Sequence, residues 1–596
     1  MRGLDGSIFP DLLQVTGFRL KITRKDGACM QILTNDPVRI PVIGENDRPQ
    51  RVLLLGFQDQ DNLGLRYLMS AVNASGHEAA IMTYGADPEI ILRRIRHEKP
   101  DVVGFSLIFQ YMAPDFGRVI KALRDGGVTG HFTMGGHYAS FEPAEILSQT
   151  PGLDSVVRFD GEMTLVKILH CLSKGEDWRK LPGIAFRSDE GQVVVAPLAK
   201  VVENLDILPR PDRRSIDYEG HPMPTASVLG SRGCPWDCSF CSIRPFYESQ
   251  GGPLRRLRNP REVADEMLDL HVNRKVPIFL FQDDDFLAGG KSAKQWAMEI
   301  ADHIAAAGFA GDLAFKISCR SDEIDEEILE RLMAGGLTHV YMGVESGDEE
   351  GLINMHKRMK PESHLRAGRI LKKLGLSFDF GFMMVEPYST FRSIRQNISF
   401  LEEFIGDGWT VAPFCRMLPY AGTPIKRRLE AEGRMLGTAF EPDYKFLDPK
   451  LDIFYEWMIA TFYERNFTNQ GLCHMFRGLN FEASLRLPKR NRVTPAQRAY
   501  LRYLTSVCNR VACYTLRCAV DHLDATPLDE LEKDRGYLDG LTAHEKREEA
   551  QLTNEVGQYY HWVHEDESEI PGPVGGFDKS WTFYEGDREA AGVGAA

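Results

Sequence analysis

Ser231–Ile243 reads SRGCPWDCSFCSI, with cysteines at 234, 238 and 241. It follows TASVLG (225–230), a short apolar run of strand type. Eleven cysteines scattered at random in 596 residues would give this C-x3-C-x2-C spacing about 0.004 times, so the triplet is a built feature. The remaining cysteines, such as Cys171, Cys319 and Cys415, are dispersed. Three thiolates in one loop are too few for a closed zinc site, which takes four ligands, often as two pairs. They suit a [4Fe–4S] cluster with one iron left for a non-protein ligand. Zinc with a distant fourth ligand and a loop without metal are the alternatives.

Outward from this loop the chain alternates. Downstream, the strand-like runs TASVLG, IFLFQD, LAFKIS, HVYMGV, FDFGFMM and TVAPFCRM are separated by helical stretches such as PREVADEMLDLHV and DEEILERLMAGG. Six βα units in residues 223–433 predict a partial barrel, whose active site lies at the carboxyl ends of the strands. Upstream, RVLLLGF, HEAAIMTYG, DVVGFS, GHFTMGG and DSVVRF alternate with helices. They predict a doubly wound, flavodoxin-like domain over 51–175, which binds ligands outside the carboxyl ends of its strands. A hairpin (183–197) and a Pro-rich charged linker fill 176–222. Residues 1–50 form an N-terminal extension with a strand pair around a DG turn. Residues 434–596 read as a helical region ending in an acidic tail, partly disordered from about Asp529. Cys508, Cys513 and Cys518 are five apart, so they do not share a helix face and make no second cluster.

The net charge of −14 disfavours bulk nucleic-acid or anionic-membrane binding. No stretch approaches the roughly 18 apolar residues of a membrane span. The opening MRGLDGSIFPDLLQ lacks the pattern of a secretory signal, and a reducing cytoplasm, where disulfides are rare, is the expected location.

The motif C-x3-C-x-aromatic-C after the first barrel strand, with Phe240 in the aromatic position, resembles that of the radical SAM superfamily. The resemblance implies that Cys234, Cys238 and Cys241 hold a [4Fe–4S] cluster. Its open iron chelates the amino and carboxylate groups of S-adenosylmethionine, and an electron then splits the sulfonium to give a 5′-deoxyadenosyl radical. It also implies contacts to S-adenosylmethionine from Asp283 or Asp284 (FQDDDF, second strand end), from Arg320 and Asp322 (SCRSD, third) and from Glu345 (GVESGD, fourth). Read as residues alone, Asp283, Asp284 and Asp348 are also candidates for helix caps, and Met383 and Met384 for core.

LGLRYL (63–68), GFS (104–106), MGGHYAS (134–140) and RFDGE (158–162) resemble the cobalamin-binding domain of one large radical SAM subclass. That resemblance implies cobalamin contacts from Asp61, Gly64, Ser106, Gly135, Gly136, His137, Gly161 and Glu162, the two middle glycines allowing close backbone approach. The chain departs from the pattern twice. Asp61 stands where many such domains carry a cobalt-ligating His, so no His ligation is expected from this loop. Phe159 and Asp160 stand where RGEGE is common. The alternative is a domain kept as scaffold without its cofactor. The expected activity is methylation of an unactivated carbon of a small molecule or natural-product precursor. Radical oxidation, cyclisation or rearrangement is the alternative, and a noncatalytic cobalamin or metal sensor a further one. The expected partners are a small-molecule or peptide substrate and an electron donor such as flavodoxin or ferredoxin.

Overall fold

The computed structural model describes residues 40–564, apart from 59–60, 86, 219–222, 486 and 488–492. The expected strand pair near the DG turn, Cys29 and residues 565–596 of the tail lie outside the described residues.

The first sheet is built from β1 (Arg51–Gly56), β2 (Glu78–Thr83), β3 (Val102–Ser106), β4 (His131–Gly135), β5 (Ser155–Val157), β6 (Ile184–Arg187) and β7 (Val193–Val195). Their order is β2-β1-β3-β4-β5-β6-β7. β1 to β5 are parallel. β1, β3 and β4 are almost wholly buried because helices cover both faces, which is why they read as continuous apolar runs. The 183–197 hairpin forms as β6–β7 and adds antiparallel to β5, so it extends this sheet. The strand order reverses between β1 and β3, the switch point where such sheets bind ligands.

The second sheet contains β8 (Thr225–Val228), β11 (Ile278–Phe281), β12 (Ala314–Arg320), β13 (Leu337–Glu345), β14 (Ser377–Val385) and β15 (Cys415–Arg416), in that order and all parallel. Between β8 and β11 a small antiparallel pair, β9 (Ser231–Arg232) and β10 (Arg256–Leu257), brackets the cysteine loop. The fold is a flavodoxin-like Rossmann-type domain followed by a partial, six-stranded TIM-like barrel and a helical C-terminal region. Met383 and Met384 belong to the barrel core.

One expectation needs correction. The run TVAPFCRM forms only the two-residue β15. Pro413 has no N–H to pair, and Asn509 of helix Pro495–Ala525 takes the neighbouring backbone: it accepts from Ala412 N (2.9 Å) and donates to Thr410 O (2.9 Å). Within the acidic stretch after Asp529, Gly536–Val563 is a helix, while residues 565–596, on which the expected partial disorder also falls, lie outside the described residues. Leu538, Leu552, Val556 and Tyr559 form a buried stripe on one face. Burial of each such side chain contributes roughly 1.5–3 kcal/mol, enough to order a helix whose composition is otherwise polar. On helix Pro495–Ala525, Cys508 and Cys513 pack into different apolar clusters. Among the described residues, no helix is long and apolar enough to cross a membrane.

Candidate functional site

The cysteine loop leaves β9, turns at Gly233 and enters helix Ile243–Gln250. Gly233 sits at φ +91, and a Cβ there would lie 2.0 Å from Leu254 O. Only glycine makes this turn, so the path from Arg232 to Cys234 is fixed. Cys238 is buried, and Cys234 and Cys241 are half-buried. Burial pushes all three thiols up, Cys241 to about 12. Asp285 raises Cys234 further, whereas Lys357 and Arg320 pull Cys238 back down. These are protonated thiols that a bound cation would deprotonate, not free nucleophiles. Among the described residues no three His, Cys, Asp or Glu groups converge on a single-ion position. Three cysteines from one loop, with no fourth in the same loop, fit an iron–sulfur cluster that leaves one iron for a non-protein ligand.

Side chains from successive strand ends surround the loop. Asp283, after β11, is buried; it accepts from Gly230 N (2.9 Å) and Ser231 Oγ (2.5 Å). Asp284 accepts from Gly233 N (2.8 Å). Its side chain has solvent access. Burial is the main cause that pushes the Asp283 carboxyl up to about 6, whereas Asp284 is exposed. Neither caps the next helix, Lys291–Ala306, whose N-cap is Gly290. Asp348 does cap a helix, accepting from Gly351 N at 2.7 Å. Arg320, at the end of β12, makes two 3.0 Å bonds to Asp322, donates to Lys357 O (2.7 Å), stacks 4.1 Å over Trp236 and places Nη1 3.9 Å from Cys238 Sγ. Its donors are thus largely committed to protein. Glu345 ends β13 at φ +69 and accepts from buried Lys357 Nζ at 3.0 Å. A Cβ at Gly343 would fall 2.7 Å from both of these polar atoms, so that glycine makes room for the pair. Phe240 packs against the barrel core, 5.9 Å from the Lys357 ammonium. Lys357 and Trp236 were not anticipated from sequence. Lys357 lies in an irregular MHKRMK turn that carries no periodic signal.

The carboxyl ends of the first sheet face this loop. Gly56 ends β1 and Ser106 ends β3, at the switch point; a Cβ on Gly56 would come 3.0 Å from Ser106 Cβ. Gly135 pairs with Ser106 across β3–β4. Gly136 has φ +116, and a Cβ there would lie 2.0 Å from Leu107 O. The close approach expected at Gly136 is therefore met by the chain's own backbone. Gly64 lies in the first turn of helix Leu63–Ala74, capped by Asn62. His137 stacks on Phe246 of helix Ile243–Gln250 at 4.3 Å, and its Nε2 is buried without a hydrogen-bond partner. That orphaned nitrogen, the glycine-lined strand ends and the switch point fit a large ligand held in the crevice.

The acidic residues of this domain do something else. Asp61 turns its carboxylate to the barrel, accepting from Ser227 N (2.9 Å) and Tyr218 OH (3.0 Å) and pairing with Arg213 (3.9 Å). The position that carries a cobalt-ligating His in many such domains is here an interdomain anchor. Glu162, beside Gly161 at the start of helix Glu162–Lys174, pairs with Arg232 at 2.6 Å. Asp160 pairs with Arg232 (3.3 Å) and Arg256 (2.6 Å). Burial opposes its ionisation, but the two guanidinium groups outweigh burial and hold the carboxyl below its ordinary range. Phe159 adopts φ +63, a conformation that favours glycine, and packs its ring 5.0 Å from Phe246.

Buried His364 and half-buried His137 are two of the histidines whose lowered pKa makes stability fall in acid. Burial lowers His137 to about 4 and His364 to about 3. Below the unfolded value near 6.5 the unfolded chain binds protons that these folded sites refuse. Their share of stability is therefore intact above pH 6.5 and declines as pH falls toward 4. Between pH 7.5 and 5.5 each should cost about 1 kcal/mol. Urea midpoints at the two pH values check this, and His137→Gln should remove its part of the difference.

Residues 56–169 match the family model of the B12 binding domain, and residues 228–401 that of the radical SAM superfamily. The chain belongs to the radical SAM superfamily, in the subclass that carries a cobalamin-binding domain. As a radical SAM enzyme of this subclass it uses a [4Fe–4S] cluster, S-adenosylmethionine and cobalamin. An uncharacterized methyltransferase of Pyrococcus horikoshii is 28% identical over 66% of this chain and 83% of its own length. The hopanoid C-3 methylase of Methylococcus capsulatus is 28% identical over 66% of this chain and 72% of its own. The anaerobic magnesium-protoporphyrin IX monomethyl ester cyclase of Rubrivivax gelatinosus is 26% identical over 60% and 66%. Among solved structures, the cobalamin-dependent S-adenosylmethionine radical enzyme OxsB, with aqua-cobalamin and S-adenosylmethionine bound, superposes with a TM-score of 0.67. It has 15% identity over 88% of this chain and 82% of that one, and so shares the fold.

Proposed function

We propose that this radical SAM enzyme methylates an unactivated carbon of a small molecule or natural-product precursor. The observation that carries the reading is the direct junction of the two cofactor faces. The loop after β5, on the cobalamin side, is ion-paired to the strand that leads into the cysteine triplet. When bound, the cofactors supply one-electron cleavage of a sulfonium and a carrier for its methyl group.

The chain's own residues do the rest. Cys234, Cys238 and Cys241 hold the cluster. Asp284, with one backbone donor and an open side, is placed to take the ammonium of the methionine moiety, while Asp283 is occupied in fixing Gly230 and Ser231. Trp236, Phe240 and the Lys357–Glu345 pair wall the cluster loop from water. Arg320 and Lys357 bring positive charge to Cys238, which favours its thiolate. On the other side Ser106, Gly135 and Gly136 border the cobalamin crevice. An electron donor of the flavodoxin or ferredoxin class completes the system, and the cytoplasm is the compartment that keeps such a cluster and its thiols reduced.

The test is product analysis under anaerobic, reducing conditions with S-adenosylmethionine and a panel of candidate substrates. Methyl transfer predicts S-adenosylhomocysteine together with 5′-deoxyadenosine, the former only from cobalamin-loaded enzyme. 5′-Deoxyadenosine alone would favour the second reading, radical cyclisation or oxidation, to which the match with a cyclase lends support.

A further inference from the structure

We propose that Asp160 and Glu162, on the cobalamin-binding domain, are positioning residues for the iron–sulfur cluster, acting through Arg232 and Arg256. Arg232 lies two residues before Cys234. Its Nη1 meets Asp160 Oδ1 at 3.3 Å and its Nη2 meets Glu162 Oε1 at 2.6 Å. Arg256 stands opposite Arg232 in the β9–β10 pair and meets Asp160 Oδ2 at 2.6 Å. One carboxylate thus bridges both strands that bracket the cysteine loop.

The four side chains are almost wholly excluded from water, with exposures between 1% and 11%. Their charges, two positive and two negative, balance only while the domains stay docked. Removing one member strands a buried charge, which is far costlier than losing a surface pair. The tether also has no slack. Gly233 is the single residue between Arg232 and Cys234, and its backbone is pinned by the left-handed turn and by Asp284. A shift of the loop after β5 must therefore move Cys234. That loop borders the cobalamin crevice, so the cofactor domain and the cluster environment are mechanically one unit.

The inference rests on the cysteine triplet holding the cluster, and the experiment separates the two. The reconstituted holoenzyme, D160N and a control, D61N, are compared by iron content and by EPR of the reduced cluster with S-adenosylmethionine bound. D61N cuts a different interdomain contact, the one to Ser227, Tyr218 and Arg213. D160N should shift the EPR line positions or lose iron, while D61N keeps the wild-type spectrum and iron. If D160N does not fold, E162Q, which leaves Asp160 between both arginines, should show the same change at smaller size. An unchanged spectrum in D160N, or the same shift in D61N, overturns the proposal. Absence of iron from the wild-type enzyme would instead refute the cluster assignment.

Discussion

Replacing Cys234, Cys238 and Cys241 together by alanine should abolish iron binding: about four irons per reconstituted wild-type chain, and none above background in the variant. The effect is large because these are the only three cysteines in the loop, and no nearby side chain can substitute. Asp285, a nearby acid, is itself buried, and burial together with Glu323 pushes its carboxyl up. It is a poor replacement ligand for iron. The overall fold should survive, since none of the three thiols belongs to the main apolar cluster of the barrel. Circular dichroism should therefore be unchanged while S-adenosylmethionine cleavage vanishes. Iron retained at the wild-type level would refute the assignment.

Gly136→Ala should be nearly as damaging, on the other face of the site. Its φ of +116 belongs to glycine, and the new Cβ would lie 2.0 Å from Leu107 O and 2.7 Å from Leu107 C. Leu107 cannot retreat freely, because its N–H donates to Gly135 O at 2.9 Å. A Gly-only conformation costs about 1–3 kcal/mol, and overpacking a further 1–3 kcal/mol. Together these approach the lower end of a typical domain's stability, about 5 kcal/mol. The crevice between β3 and β4 should open before the barrel does. Cobalt content after reconstitution should fall steeply while iron stays near wild type, and the urea midpoint should drop. A wild-type midpoint with full cobalt would contradict the backbone argument.

What the sequence disclosed follows from the range of each signal. The cysteine loop is local: three thiols within eight residues announce their chemistry without any partner. The alternating runs likewise reveal both parallel sheets, because burial on two faces leaves unbroken apolar strands. The sixth strand was expected, but its shortness stayed hidden because Asn509, 97 residues on, captures the backbone of residues 410–412. The helix at 536–563 stayed hidden because charged residues outnumber its buried stripe. Within the site, Asp160 and Phe159 showed only as departures from a motif. Their roles depend on Arg232, more than 70 residues away, and on Phe246. Lys357 gave no signal at all, since its partner Glu345 lies 12 residues back, on the far side of helix Glu349–Asn354. Asp61 was placed at the cofactor, yet its carboxylate faces Ser227 of the barrel, a contact 166 residues apart in sequence.

A single chain should carry both metal cofactors at one junction. Iron and cobalt counted together, per chain, in enzyme purified anaerobically after growth with iron and hydroxocobalamin test it most directly. About four irons and one cobalt are expected in the same protein. Iron without cobalt would reduce the first domain to a scaffold, and cobalt without iron would contradict the cluster.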